Sequence, residues 1–506
     1  MALTPDFSCF EQRYLDGEAQ LVRTTLVGDL ETPVSAYLKL TAKERRNAIL
    51  LESVEGGATR GRYSIIGLKP DLIWRCRDGE AEINRNALID RTQFEPSGMP
   101  PLASLRAVLA ESAIDFEEGL PPMSAGIFGY LGYDMVRQME RLPEPNADAL
   151  GVPDAILARP TVMVIFDSVK DEITVVTPVR PKPGISARAA YEAALDRIEA
   201  TSSALEAPLP ATLPAPLDLS TIEHGLSNTS ESEFLGMVER AKDYIRAGDI
   251  FQVVLSQRFE APFTLPPFSL YRALRRVNPS PYLSYLDFDG FQIICSSPEI
   301  LVRVRKDKVT IRPIAGTRPR GKTEAEDIAL GKELLADEKE CAEHLMLLDL
   351  GRNDVGRVAK IGSVEVTGSF FLERYSHVMH IVSNVEGVLD DKFDVVDALC
   401  AGFPAGTVSG APKVRAMEII DELEHDKRGP YGGCIGYFGA NGEMDTCIVL
   451  RTALVKDGKM HVQAGAGIVY DSNPHSEQQE CINKSKALFR AADEAVRFAT
   501  SGKRGQ

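Results

Sequence analysis

A chain of 506 residues is long enough for two to four cores of ordinary size, and 44% hydrophobic with 26% charged residues is the balance of folded globular domains, which excludes wholesale disorder. The net charge of −16 disfavours nucleic-acid and anionic-membrane partners, while a small anion can still be held by a few focused Arg and Lys side chains. The start, MALTPDFSCFEQRYLDGEAQ, has no basic segment leading into an apolar one, no apolar run approaches 18 residues, and the 8 cysteines include no C-x-x-C pair, so the expectation is a cytoplasmic protein with neither a membrane span nor a disulfide or zinc framework.

In chain order, SAYLKL, NAILLES, RYSIIGL and TVMVIFDSV read as strands between turn signals, and ARAAYEAALDRIEA as one amphipathic helix. Residues 1–200 are therefore expected to form a mixed α and β unit. TSSALEAPLPATLPAPLDLSTIEHGLSNTS, residues 201–230, is rich in Pro, Ala and Ser with little periodic hydrophobicity, and predicts a linker before a second unit over 231–506. That unit opens with Ser230 and Glu233 as a capping box ahead of Phe234, Val238, Ala241 and Ile245 on one helical face, and Gly248 ends the helix. Residues 250–259 read as a strand with Gln252, Val254, Ser256 and Arg258 on one face. Asn441-Gly442 and Asp457-Gly458 are hairpin signals, so 431–470 should form an antiparallel meander. No parallel βαβ rhythm is present, which excludes a Rossmann-like sheet.

Several clusters carry chemical content. Glu340 and Glu343 share a helical face by their i, i+3 offset, and Glu477 and Glu480 repeat the spacing on a helix that Asn473 can cap and Pro474 can start, with Lys484 one turn beyond Glu480. Taken singly, each pair reads as a solvated face; brought together, four carboxylates would call for a hard divalent cation such as Mg²⁺. RPIAGTRPRG gathers Arg312, Arg318 and Arg320 around a glycine turn, and Arg451 in CIVLRTALV is a charge inside an apparent strand, which requires solvent or an anionic partner.

FPAGTVSGAPK, residues 403–413, invites a phosphate-loop reading. The spacing fails: three residues separate Gly406 from Gly410, Ala411 and Pro412 stand before Lys413, and Pro412 removes an amide donor. GGCIG at 432–436 fits the elbow of a glutamine amidotransferase, with His475 and Glu477 downstream, yet GGCIGYFGANGEMDTCIVL reads as strand, turn, strand, and an elbow needs a strand-to-helix turn. Cys434 is expected to be structural.

In register along nearly the whole chain, LLES at 50–53, NPSPYLSYL at 278–286, SSPEILVRV at 296–304, PIAGTRPRG at 313–321, KECAEHLMLLDLGRNDVGRV at 339–358, HIVSNVEG at 380–387, FPAGTVSGAPK and QAGAGIVYDSNPHSEQQE at 463–480 resemble component I of anthranilate synthase, a family of chorismate-using enzymes. The resemblance implies an α+β fold of two antiparallel sheets packed as a sandwich with helices outside, a regulatory N-terminal part and a catalytic C-terminal part. It implies Mg²⁺ held directly by Glu343 and Glu480, with Glu340 and Glu477 on its waters. Glu299 would be the general acid for the departing ring hydroxyl, His380 would assist loss of pyruvate, and Tyr431, Arg451, Thr407, Gly465, Ala466, Gly467 and Lys484 would hold the substrate.

Gln252 stands where isochorismate and salicylate synthases resembling this chain have a water-activating lysine, and Ala315 where aminodeoxychorismate synthases have a nucleophilic one, which leaves direct attack by ammonia. A separate glutamine amidotransferase subunit is therefore expected as partner, with no nucleic acid or membrane. The resemblance further implies a tryptophan feedback pocket of Leu50, Glu52, Ser53, Asn278, Pro279, Ser280, Pro281, Tyr282, Leu283 and Tyr437, where Leu283 replaces a common methionine at conserved volume. Two rivals stay open: another chorismate enzyme, disfavoured by Gln252 and Ala315, and a catalytically silent tryptophan sensor, disfavoured by intact Glu299, Glu343, Glu480 and Arg451.

Overall fold

The computed structural model describes residues 3–43, 47–55, 59–116, 119–210, 225–375 and 378–500. Two long antiparallel strands, Thr59–Arg77 and Ala155–Asp167, run side by side through two sheets and join them. In the first sheet the Met163–Asp167 end meets Glu172–Val179, which pairs with Gln20–Val27. On its other side Thr59–Arg77 leads through Ala48–Glu55, Tyr282–Phe288, Phe291–Ser297, Thr452–Lys456 and Lys459–Ile468 to Gln252–Pro262. In the second sheet the Ala155–Ala158 end meets Gly126–Leu131, followed by Cys434–Gly439, Met444–Ile448, Ile300–Arg305, Lys308–Ile311 and Val378–Val388, whose edges carry Ile314–Pro319 and Glu365–Arg374.

Strand alternation sorts the apolar side chains into three layers. Ile49, Ile65, Leu286 and Cys295 of the first sheet meet Phe128, Ile435, Tyr437 and Cys447 of the second, so the sheets face one another as a sandwich. Their neighbours Leu50, Ile66 and Tyr285 turn outward onto Tyr37, Phe268, Tyr271 and Leu488 of the covering helices. Trp74, Ile127 and Val302 do the same on the far side, against Leu105, Val108, Leu348 and Leu399. Strands from before and after the 201–230 segment alternate in both sheets: Ala48–Glu55 pairs with Tyr282–Phe288, and Gly126–Leu131 with Cys434–Gly439.

Three expectations need correction. SAYLKL lies in the helix Pro33–Leu40, not a strand, because Thr32 caps the Ser35 amide at 3.1 Å with Pro33 at the first position, and the helical period buries Ala36 and Tyr37. The 201–230 linker starts later than predicted: Thr201, Ser202 and Leu205 are buried in the last turns of Ala187–Glu206, and Leu226–Ser227 already pairs with Gln252–Pro262, while 211–224 lie outside the described residues. The 431–470 meander is two hairpins in different sheets, Cys434–Gly439 with Met444–Ile448 and Thr452–Lys456 with Lys459–Ile468. Among the described residues no helix is long and apolar enough to cross a membrane.

The helix Glu231–Ala247 follows its sequence closely: Ser230 Oγ accepts from the Glu233 amide at 3.3 Å, Glu233 Oε2 accepts from the Ser230 amide at 2.8 Å, and Gly248 ends it at φ 84°. Ser230→Ala is expected to cost about 1 kcal/mol, read as a lower urea midpoint at unchanged slope.

Candidate active site

The helix Glu338–Gly356 is capped by Asp337, which accepts from the Lys339 and Glu340 amides at 3.1 and 3.2 Å, and Pro474–Thr500 by Asn473, which accepts from the Ser476 amide at 3.1 Å. Their acidic faces lie within electrostatic reach of one another. The Glu343 carboxyl is pushed above its ordinary value by burial and by the negative charges of Glu340 and Glu480, and that of Glu477 by burial with Glu480 nearby. Arg318 donates to Glu340 at 3.0 Å and Lys484 to Glu480 at 2.7 Å, and among the described residues no three acidic, imidazole or thiol groups already stand at metal-ligand spacing. Glu343 has no hydrogen-bond or ion-pair partner among the described residues. An all-oxygen, mutually repelling donor set with one unpaired, half-buried carboxylate suits a hard divalent cation such as Mg²⁺.

Gly316 links this cluster to the next. A side chain there would stand 3.1 Å from Glu340 Oε2, and its carbonyl accepts from His380 Nδ1 at 2.9 Å. Burial lowers the His380 pKa to about 4, so the imidazole is neutral, with the proton on Nδ1 and a buried Nε2 that has no partner among the described residues. His380 borders a partly open cavity together with Asn278, Pro279, Ser280, Tyr375 and Arg451. Arg451 lies not within a strand, as expected, but at the joint between the two hairpins, with φ 47°. Its carbonyl accepts from the Ser296 amide at 3.3 Å, and Ser296 Oγ donates to the Asn278 carbonyl at 2.5 Å. Among the described residues the guanidinium has no hydrogen-bond or ion-pair partner, and burial disfavours its charge, an arrangement that calls for an anion.

Glu299 sits between Phe291–Ser297 of the first sheet and Ile300–Arg305 of the second, 6% exposed, and burial raises its pKa to about 8. It is therefore protonated at neutral pH. Thr407 Oγ1 lies 3.3 Å from one of its oxygens, in the turn Gly406–Val408, and both residues border an open cleft that Asp354 also lines. A side chain at Gly406 would meet Leu350 at 2.1 Å, so this glycine serves close packing and not an anion cradle, and Lys413 is taken by Asp354 at 3.1 Å.

The strand Gln252–Pro262 pairs Val254, Leu255 and Ser256 with Gly467, Ala466 and Gly465. A side chain at 465 would stand 2.8 Å from Tyr431 Oη, and one at 467 would stand 2.7 Å from Gln252 Nε2, which explains both glycines by close approach. Lys484 donates to the Gly465 carbonyl at 2.9 Å, and Gln252 Oε1 is buried without a partner among the described residues. Ala315 is buried in Ile314–Pro319. Cys434 starts a strand, is 1% exposed, and burial raises its thiol to about 12, so it is no elbow nucleophile; His475 pairs instead with Glu231 at 3.5 Å on the helix surface.

The set expected to bind tryptophan is divided by strand alternation. Leu50 and Leu283 face the helix layer. Glu52, opposite Leu283, accepts from Tyr271 Oη and Arg275 Nε, both at 2.6 Å, so its carboxylate is saturated within the fold. Ser53, opposite Tyr282, lies on the other face, where Tyr282 and Tyr437 pack between the sheets and Tyr282 Oη approaches Asp445 at 3.3 Å. Asn278, Pro279 and Ser280 border the His380 cavity, leaving Pro281 as the joint between the two places. Sequence reasoning missed Arg305 and Asp445, an ion pair at 2.8 Å beside Tyr437, and the buried pair Glu424 and Arg428 beside Tyr431. In HDKRGPYGG, an arginine set against glycine and proline was the available signal for the second.

A chorismate binding enzyme family model matches residues 69–490. Anthranilate synthase component 1 of Cereibacter sphaeroides is 56% identical over 493 residues, covering 97% of this chain and 98% of that protein, and the namesake from Pseudomonas aeruginosa is 48% identical over 471 residues, covering 92% and 94%. Among solved structures, anthranilate synthase component I from Streptococcus pneumoniae superposes with a TM-score of 0.74 at 38% identity, covering 92% of this chain and 98% of that one. The menaquinone-specific isochorismate synthase of Escherichia coli shares the fold, with a TM-score of 0.70 at 19% identity over 94% of this chain and 95% of its own.

Proposed function

The chain belongs to the chorismate binding enzymes, among the relatives named anthranilate synthase component 1, and from that premise we propose that it converts chorismate and ammonia to anthranilate, pyruvate and water. The observation that carries the reading is the electrostatic proximity of Glu340 and Glu343 to Glu480 and of Glu480 to Glu477, linked through Gly316 to His380 and to Arg451, whose guanidinium has no partner among the described residues. A Mg²⁺ ion held directly by Glu343 and Glu480, with Glu340 and Glu477 on its waters, would neutralise the ring carboxylate and draw electrons from the carbon under attack.

Arg451 and Tyr431 grip the enolpyruvyl carboxylate, a task for which a desolvated planar guanidinium is suited. Lys484 and the backbone of Gly465, Ala466 and Gly467 complete the wall. Ammonia adds at the ring carbon beside the ring carboxylate while the ring hydroxyl departs. Hydroxide is a poor leaving group, so Glu299, protonated at neutral pH, delivers its proton to that oxygen and water leaves. Elimination of pyruvate then aromatises the ring, and the neutral His380, whose Nε2 has no partner among the described residues, supports that step. Gln252 cannot deprotonate water and Ala315 cannot attack the ring, which favours ammonia as the nucleophile over either cousin chemistry.

Ammonia at neutral pH is mostly ammonium, so a separate glutamine amidotransferase subunit delivers it, and tryptophan binds between the sheets near Ser53, Tyr282 and Tyr437 as feedback inhibitor. The purified chain is expected to form anthranilate from chorismate, Mg²⁺ and ammonium salt, and to use glutamine only after an amidotransferase subunit is added. Cys434→Ala is expected to leave the ammonia-dependent rate within about twofold of wild type; glutamine use by the chain alone, abolished in that variant, would contradict the two-subunit reading.

A further inference from the structure

We propose that Arg428 is a positioning residue which, held by Glu424, fixes Tyr431, the turn carrying Thr407 and the strand carrying Gln252 relative to one another. The proposal rests on the substrate site assigned above. Glu424 follows the helix Lys413–Leu423 and is 6% exposed; Arg428, four residues on, is 2% exposed. Arg428 Nε donates to Glu424 Oε2 at 2.8 Å and Nη2 to Oε1 at 2.5 Å, so the buried charges are matched. The rest of the fork reaches backbone: Nη1 donates to the Val408 carbonyl at 2.6 Å, beside Thr407, and Nη2 to the Val254 carbonyl at 2.7 Å, two residues from Gln252.

The carboxylate extends the tie. Glu424 Oε1 accepts from the Ser256 amide at 2.7 Å and from its hydroxyl at 2.9 Å, and that hydroxyl accepts from Gln463 Nε2 at 2.8 Å, two residues before Gly465. The guanidinium also lies over the rings of Tyr133 at 4.6 Å and Tyr431 at 5.6 Å. One ion pair thereby joins four segments, those bearing Tyr431, Thr407, Gln252 and Gly465. A buried pair is weak evidence for stability, because hydrophobic replacements often serve as well. The aim of Arg428's two other hydrogen bonds, both at backbone carbonyls beside site residues, is what assigns it to positioning. Lysine would keep the charge but lose the planar fork that reaches Val408 and Val254 together.

The test compares the full-length wild type with Arg428→Lys and Glu424→Gln, assayed with chorismate, Mg²⁺ and ammonium salt, with folding followed by circular dichroism. A misplacement of about 1 Å in the wall predicts that Arg428→Lys loses about 100-fold in kcat/KM, most of it as a higher KM for chorismate, in a folded protein. Glu424→Gln, which keeps the shape, is expected to lose less, in the same parameter. Wild-type KM and kcat in folded Arg428→Lys would overturn the proposal even if its melting temperature fell. Failure of both variants to fold would overturn it too, by showing that the pair holds the fold and not the site. A wild type that makes no anthranilate would instead defeat the function on which the proposal rests.

Discussion

Glu299→Gln is expected to reduce anthranilate formation by about 10² to 10⁴-fold while leaving the fold and chorismate binding in place. Glutamine keeps the shape and can still accept from Thr407 Oγ1, so the only property removed is the transferable proton. The wild-type pH profile carries the same information. Burial raises the Glu299 pKa to about 8, so the acid form predominates below that pH and is lost above it. With rates normalised to free ammonia, whose share grows with pH, activity should fall through an alkaline limb near 8. That limb should vanish in the variant's residual activity. A variant with near-wild-type turnover, or a normalised rate rising without inflection through pH 8, would remove Glu299 from the proton transfer.

The carboxylate cluster predicts the second large effect. Glu343→Gln and Glu480→Gln should each cost about 10² to 10³-fold or more in turnover, the scale of losing a group that stabilises charge at the reacting centre. Glu340→Gln and Glu477→Gln, acting through waters, should cost about 10 to 100-fold, partly recovered at high Mg²⁺. Calorimetric titration with Mg²⁺ alone separates binding from catalysis: heat of binding should be seen for wild type and lost in the Glu343→Gln, Glu480→Gln double variant. Stability without metal should move the other way. Burial and like charges raise the Glu343 pKa in the folded state, so the folded protein binds the proton more tightly than the unfolded chain and is penalised increasingly as pH rises above the ordinary Glu range. Glu343→Gln removes that penalty, and its metal-free melting temperature at pH 7 should equal or exceed wild type. A lower one would mean that Glu343 has a stabilising partner.

What the sequence made legible was local. The i, i+3 offsets of Glu340 with Glu343 and of Glu477 with Glu480, the Ser230 capping box and the Asp457-Gly458 turn depend on residues within one or two turns of each other, and the structure contains each as read. What it hid was set by distant partners. SAYLKL has strand-like residues, but a cap and a proline decided for helix. Arg451 looked like a strand residue because nothing local says that the two C-terminal hairpins part into different sheets, and that parting is what turns its side chain to the His380 cavity. The split of Glu52 from Ser53 follows from alternation in a strand whose facing layers the sequence does not name, and the reach of Arg428 to Val408 and Val254 crosses segments that only the folded sheets bring together.

The most direct test is the fate of chorismate itself. Purified full-length chain, supplied with chorismate, ammonium salt and Mg²⁺, should release anthranilate, read by its fluorescence, with one pyruvate for each, and should stop when Mg²⁺ is chelated. Isochorismate, salicylate or aminodeoxychorismate as the product, or anthranilate formed at an undiminished rate after chelation, would contradict the account.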